Sequence, residues 1–166
     1  MILDLPLILE TRRNHALEHA TLHVLEVKHP NQRLAGHSNP TGFFILGDVS
    51  LEDVTQSAIK ALHLLKLGDR DLAIHDGCGT NMATTALLAG GLAWLVLRSA
   101  RSTFGRMMRL PFAVGFAVVG TALSRPLGPR IQQKITTEAE MGDLRIAEVR
   151  QTLRGRITAF RVITSS

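Results

Sequence analysis

The chain has one cysteine, one tryptophan and no tyrosine, and aromatic residues make up only 4% of its 166 residues. A single thiol rules out an intramolecular disulfide framework and suits a reducing compartment. So few aromatics leave little to stack bases on, which makes nucleic acid the weakest partner class. The first residues, Met1 to Leu9, lack a basic region and carry Asp4, so no signal peptide is expected. Internal repeats and low-complexity tracts are missing. Acid is also in short supply: 14 Asp and Glu stand against 19 Lys and Arg, for a net charge of +5. Much of that excess is arginine beside apolar runs, so the expected partner is membrane lipid.

What is present reads as helices around a small sheet. Leu5–Val27 is expected to be one helix, capped by Asp4 with Pro6 in its first turn. Stepping 100° per residue puts Ala16, Leu17, Ala20, Val24 and Val27 in one arc and Glu18, His15, Glu26 and His19 opposite, with His23 at the margin. A face of that kind is either a site or simply solvated. Residues 31–42, rich in Asn, Gly, Ser and Pro, predict a loop. The glycine-bounded run 42–47 predicts a buried strand. Ser50 followed by Asp53 starts a second helix, which ends near Gly68 and covers the sheet. Asp71–His75 predicts another strand. Thr137 with Glu140 predicts a helix running to about Leu153, and Arg156–Thr164 a C-terminal strand that joins those near 43 and 72.

Between these parts lie two apolar runs, Ala83–Leu97 and Leu110–Ser124, each of about 15 residues where a span needs about 20. Arg98, Arg101, Arg106 and Arg109 join them, and the Arg125–Pro129 stretch is expected to break the second. Snorkelling arginines can extend the runs, and Gly90, Gly91, Gly115 and Gly120 allow close helix contact. The hairpin is therefore expected in the inner or plasma membrane, with a buried soluble helix pair as the competing reading. Positive charge does not fix the orientation; the cysteine favours a cytoplasmic main domain.

The chemistry gathers in two short stretches. His15-Ala-Leu-Glu18-His19 reads H-x-x-E-H, which on a helix puts two imidazoles on one face with a carboxylate beside them. His75-Asp-Gly-Cys78-Gly-Thr adds an imidazole at a strand end and the only thiol, just before a helix capped by Thr80 or Asn81. Imidazole and thiolate both suit zinc, with other divalent metals as alternatives. If His15, His19, His75 and Cys78 all bind, the ion is saturated and structural. If one stays off, a position opens for water, with Glu18 as general base. A third arrangement makes Glu18 a ligand and Cys78 a nucleophile. His37, Asp48 and Asn81 are reserve candidates, each more often a loop or capping residue. His63 is expected at the surface or as core filler.

These two stretches, followed directly by an apolar helix, resemble the YqhQ-like bacterial membrane proteins, described as predicted metal-dependent enzymes. The chain also resembles a family of small bacterial membrane proteins of unknown function. That likeness extends over nearly the whole chain, including the Gly36–Gly42 stretch and Thr136-Thr137. The resemblance implies that His15, Glu18, His19, His75 and Cys78 are metal-site residues, and implies no substrate.

The expected fold is α+β, a small sheet packed with helices. Residues 1–81 carry the site, 82–128 form the inserted apolar hairpin, and 129–166 complete the first part. The expected function is zinc-dependent hydrolysis at a membrane, with peptide or amide bonds as the leading substrate. The rival is a membrane-anchored scaffold or assembly factor with a structural zinc. A thiol-based transfer or redox protein using Cys78 is a further rival. A protein partner or homo-oligomer is compatible with either of the first two.

Overall fold

The computed structural model describes residues 2–154 and 157–166. The chain divides into two compact units, residues 1–75 with 132–166 and residues 76–131. The first unit is α+β. Helix α1 (Pro6–Lys28) and helix α2 (Leu51–Lys66) pack on a four-stranded antiparallel sheet made of β1 (Ala35–Asn39), β2 (Gly42–Leu46), β3 (Arg145–Arg154) and β4 (Ile157–Ser165), in the order β1-β2-β4-β3. Leu17, Ala20 and Leu25 of α1, Val54 and Ala58 of α2, Phe43 and Ile45 of β2, and Phe160 and Val162 of β4 share one core. Each large apolar side chain enclosed there contributes about 1.5–3 kcal/mol.

Helix α1 is the centre of this unit. Proline stands at its start, where a missing N–H costs nothing, but its N-cap is Leu5 without a side-chain bond, so Asp4 is not the cap. Its middle turns are buried almost all round, Glu18 and His19 included, while Val27, assigned to the apolar arc, is 85% exposed. The polar face is therefore largely enclosed, with Glu18 and His19 buried and His15, His23 and Glu26 half-buried; the last turn runs out past the core. Helix α2 starts as expected, with the Ser50 hydroxyl accepting from the Asp53 N–H at 3.0 Å.

Several expectations are corrected. Residues 35–39 are a strand within the expected loop: Asn39 pairs with Gly42 across a tight turn in which Asn39 Oδ1 accepts the Thr41 N–H. Residues 70–73 are a short 3-10 turn and not a strand, so among the described residues β4 pairs with β2 and β3. The backbone carbonyls of Ala73 and Ile74 are taken by side chains of α1, which leaves no ladder for a sheet neighbour. The expected helix after Thr137 is replaced by an irregular stretch and β3. Thr137 and Glu140 do not form the expected capping box: the Thr137 hydroxyl donates to the Gln132 carbonyl, and the Glu140 N–H goes to Glu138, which also pairs with Arg12 at 3.4 Å. Pairing with β4, with a bulge between Ile146 and Glu148, overrides the local helical signal. Arg156, the first residue of the expected C-terminal strand, lies outside the described residues.

The second unit is a helical hairpin of α3 (Gly79–Arg98) and α4 (Thr103–Ile131), both long and apolar enough to cross a membrane. At 1.5 Å per residue α3 spans about 30 Å, the thickness of a hydrocarbon core. Large apolar side chains such as Leu87, Phe104, Phe112 and Val118 are exposed, as they are on a lipid-facing surface. The N-cap of α3 is Cys78, and not Thr80 or Asn81. Helix α4 does not break at Pro126 or Pro129. Two rows of small residues four apart hold it to α3. A Cβ on Gly120 would lie 2.7 Å from the Ala89 backbone, Ser124 bonds Thr85 at 2.8 Å, and Gly128 sits against Asn81. At Gly90, Gly91 and Gly115, also expected to allow close contact, an added Cβ would meet nothing within 4 Å.

Candidate metal centre

Within the first unit, α1 carries His15, His19 and His23 at steps of four, so all three rings rise from one face. His75, on the extended residues after the 3-10 turn, joins them. The rings form a row: His15 to His19 is 4.3 Å between centroids, His19 to His75 is 5.7 Å, and His75 to His23 is 4.8 Å.

Backbone carbonyls fix the tautomers of the α1 histidines. The Nδ1 of His15 lies 2.9 Å from the Thr136 carbonyl oxygen, the Nδ1 of His19 2.8 Å from that of Ala73, and the Nε2 of His23 2.7 Å from that of Ile74. A carbonyl only accepts, so each of those nitrogens carries the proton. In the neutral ring the lone pair then sits on Nε2 of His15 and His19 and on Nδ1 of His23. Metal-ligating histidines are commonly oriented in this way.

His75 is held from two sides. Its Nε2 lies 3.1 Å from Glu26 Oε1, and its peptide is clasped by the buried Gln132, whose Oε1 accepts the His75 N–H at 3.0 Å while its Nε2 donates to the His75 carbonyl at 3.1 Å. Burial holds the His75 imidazole below its ordinary 6.5, with the nearby His23 and His19 adding to the effect and Glu26 opposing it. The neutral ring, the form that binds metal, is thereby favoured near neutral pH. One carbonyl-rich support, residues 132–137, is anchored by Arg12. That buried guanidinium donates to the carbonyls of Ile135 and Thr137 at 2.8 and 2.9 Å.

Glu18 is buried on α1 with its side chain against β1; a Cβ on Gly36 would strike its carboxylate group. The carboxylate hydrogen-bonded to His75 is that of Glu26. Cys78 belongs to the second unit, where its sulfur accepts the Thr80 N–H at 3.4 Å. His37, Asp48 and His63 are exposed on β1, after β2 and on α2; Asn81 lies on α3, donating to the Asp76 carbonyl. His23, Glu26 and Gln132 are not among the site residues expected from the sequence. For the first two a signal is present: H-x-x-E occurs at His15–Glu18 and again at His23–Glu26, eight residues on. Gln132 has no local signal, because its partner lies 57 residues away. His23, Glu26 and His75 each offer one ligand atom, and these atoms lie within 4.8 Å of one another, so the group could hold a metal ion.

Residues 10–149 match the family described as a domain of unknown function, DUF6391. The chain belongs to this family. The DUF6391 match takes in the α1 histidines, His75, Cys78 and Gln132. An uncharacterized protein of Picosynechococcus sp. strain PCC 7002 is 33% identical over 158 residues, covering 87% of this chain and 73% of the relative. No solved structure matches this DUF6391 chain.

Proposed function

We propose that the protein is a membrane-associated, zinc-dependent hydrolase of peptide or amide bonds, with its main domain on the cytoplasmic side. The observation that carries the reading is the set of α1 imidazoles whose protons are pinned by backbone carbonyls, which leaves a lone pair on the other nitrogen of each neutral ring, as in metal-ligating histidines. His15, His19 and His75 are the candidate imidazole donors, of which two bind alongside Cys78 so that a fourth position stays open for water. Cys78, three residues beyond His75 in the chain, supplies a thiolate, favoured by its place at the N-terminus of α3. The resemblance to the YqhQ-like proteins supports the same donors.

Zinc at such a site polarises a carbonyl and makes water a competent nucleophile at neutral pH. Glu18, the carboxylate between His15 and His19 on α1, would serve as the base toward that water. The exposed apolar faces of α3 and α4 hold the domain at the bilayer, where membrane-embedded or membrane-proximal chains are the accessible substrates. The full chain in detergent, loaded with zinc, should cleave a fluorogenic peptide library. Chelation should abolish the cleavage, and Glu18→Gln should lower kcat by about 100-fold or more. Cleavage that survives chelation, or an unimpaired Glu18→Gln enzyme, would overturn the assignment.

A second reading is a membrane-anchored scaffold with a structural zinc. The placement of Glu18 against Gly36 favours it, since a carboxylate enclosed by a strand can serve as packing. In that case zinc stays bound in Glu18→Gln and no substrate is turned over.

A further inference from the structure

We propose that His23, Glu26 and His75 form a second divalent-cation site, next along α1 from the His15–His19 pair, so that the helix carries two ions in succession. The proposal deepens the hydrolase reading and rests on it only for the first ion; the second site stands on its own geometry.

The spacing is close to what an ion needs. Four donors held tetrahedrally at 2.0–2.1 Å from zinc lie about 3.3–3.4 Å apart. His75 Nε2 and Glu26 Oε1 are already 3.1 Å apart, joined by a hydrogen bond that an ion would replace once the ring carries its proton on Nδ1, and the three ligand atoms of the group lie within 4.8 Å of one another. Small side-chain rotations close the difference. They disturb no backbone, because His23 and Glu26 sit three apart on one helix face and Gln132 fixes the His75 peptide. His23 is pre-set: its Nε2–H is held by the Ile74 carbonyl, so Nδ1 carries the lone pair.

Access and charge agree with this. The side chain of Glu26 is 43% exposed and that of His75 13%, so an ion can enter from solvent and keep a water ligand. One carboxylate offsets half of a divalent charge, and two neutral imidazoles complete a nitrogen and oxygen donor set. That set takes zinc, and also cobalt, iron or manganese, since it contains no soft thiolate. Given to this ion, His75 no longer fills a position on the first one. The first ion then keeps a coordination place for water or substrate, as hydrolysis requires.

The test is zinc stoichiometry of the full chain in detergent, by equilibrium dialysis and elemental mass spectrometry, with cobalt absorption spectra as a second readout. The wild type should bind about two ions per chain, and Glu26→Gln and His23→Ala about one each, with the helical circular-dichroism signal unchanged. His63→Ala, on the exposed face of α2, is the control and should match the wild type. His15→Ala/His19→Ala should lose the other ion and keep the one bound by His23 and Glu26. A wild type that binds no more than one ion, lost in His15→Ala/His19→Ala and kept in Glu26→Gln, overturns the second site and leaves the hydrolase reading standing. A single ion lost in Glu26→Gln and kept in His15→Ala/His19→Ala does the reverse.

Discussion

Gln132 clasps the peptide of His75 at both ends, accepting its N–H at 3.0 Å and donating to its carbonyl at 3.1 Å, as a neighbouring strand would. A fully buried side chain thus replaces a sheet partner and sets where the His75 ring stands. Gln132→Leu removes both bonds and leaves two peptide groups to be resolvated or strained. It should destabilise the fold by about 1–3 kcal/mol and weaken zinc binding by about 10–100-fold, read by chemical denaturation and metal titration. Unchanged zinc affinity would mean that His75 is not a ligand.

Gly36 is small because Glu18 occupies the space beside it. A Cβ there would meet the Glu18 Cγ at 2.6 Å. Gly36→Ala should cost about 1–3 kcal/mol as an overpacked core position and should displace the Glu18 carboxylate. If Glu18 is the base, kcat falls as well; thermal melts and peptide cleavage read the two effects separately.

The metal-free protein should lose stability as it is acidified through the histidine range. The folded-state pKa of His75 lies below its ordinary 6.5, so the unfolded chain takes up the proton more readily. The contribution is therefore intact above pH 6.5 and is lost as pH falls from there toward the folded value. Urea midpoints on either side of 6.5 should fall less in His75→Asn than in the wild type. An identical fall in both would show that other groups govern the acid limb.

In the hairpin, Gly120→Ala should destabilise α3–α4 packing by about 1–3 kcal/mol, because the added carbon meets the Ala89 backbone at 2.7 Å. Gly115→Ala, with nothing within 4 Å, should be neutral or gain up to about 1 kcal/mol of helix propensity. Thermal melts in detergent distinguish them.

Local signals in the sequence point to the right elements where local forces decide. Pro6, the Ser50–Asp53 cap and the glycine-bounded β2 follow from backbone chemistry within a few residues. They mislead where a distant partner decides. Residues 71–75 look like a strand, yet their carbonyls are claimed by His19 and His23 from α1, more than 50 residues earlier. Thr137–Glu140 looks like a helix start, yet Glu138 is drawn to Arg12 and β3 to β4. The prolines of α4 read as a break, yet the helix continues through Pro126 and Pro129. The His15–His19 pair is legible because i,i+4 spacing is itself geometry. His23 lies at the margin of the apolar arc, and Glu26 has no second histidine after it to complete the motif. Only the approach of His75 from a distant segment gives that pair a chemical meaning.

The most direct measurement is the zinc content of the purified, zinc-loaded chain by elemental mass spectrometry, beside His15→Ala/His19→Ala and Cys78→Ser. Zinc should be bound in the wild type, with one equivalent missing from the double histidine variant and the same equivalent weakened or lost in Cys78→Ser. A wild type that holds no zinc after loading, or variants that match it, would contradict a metal centre on α1.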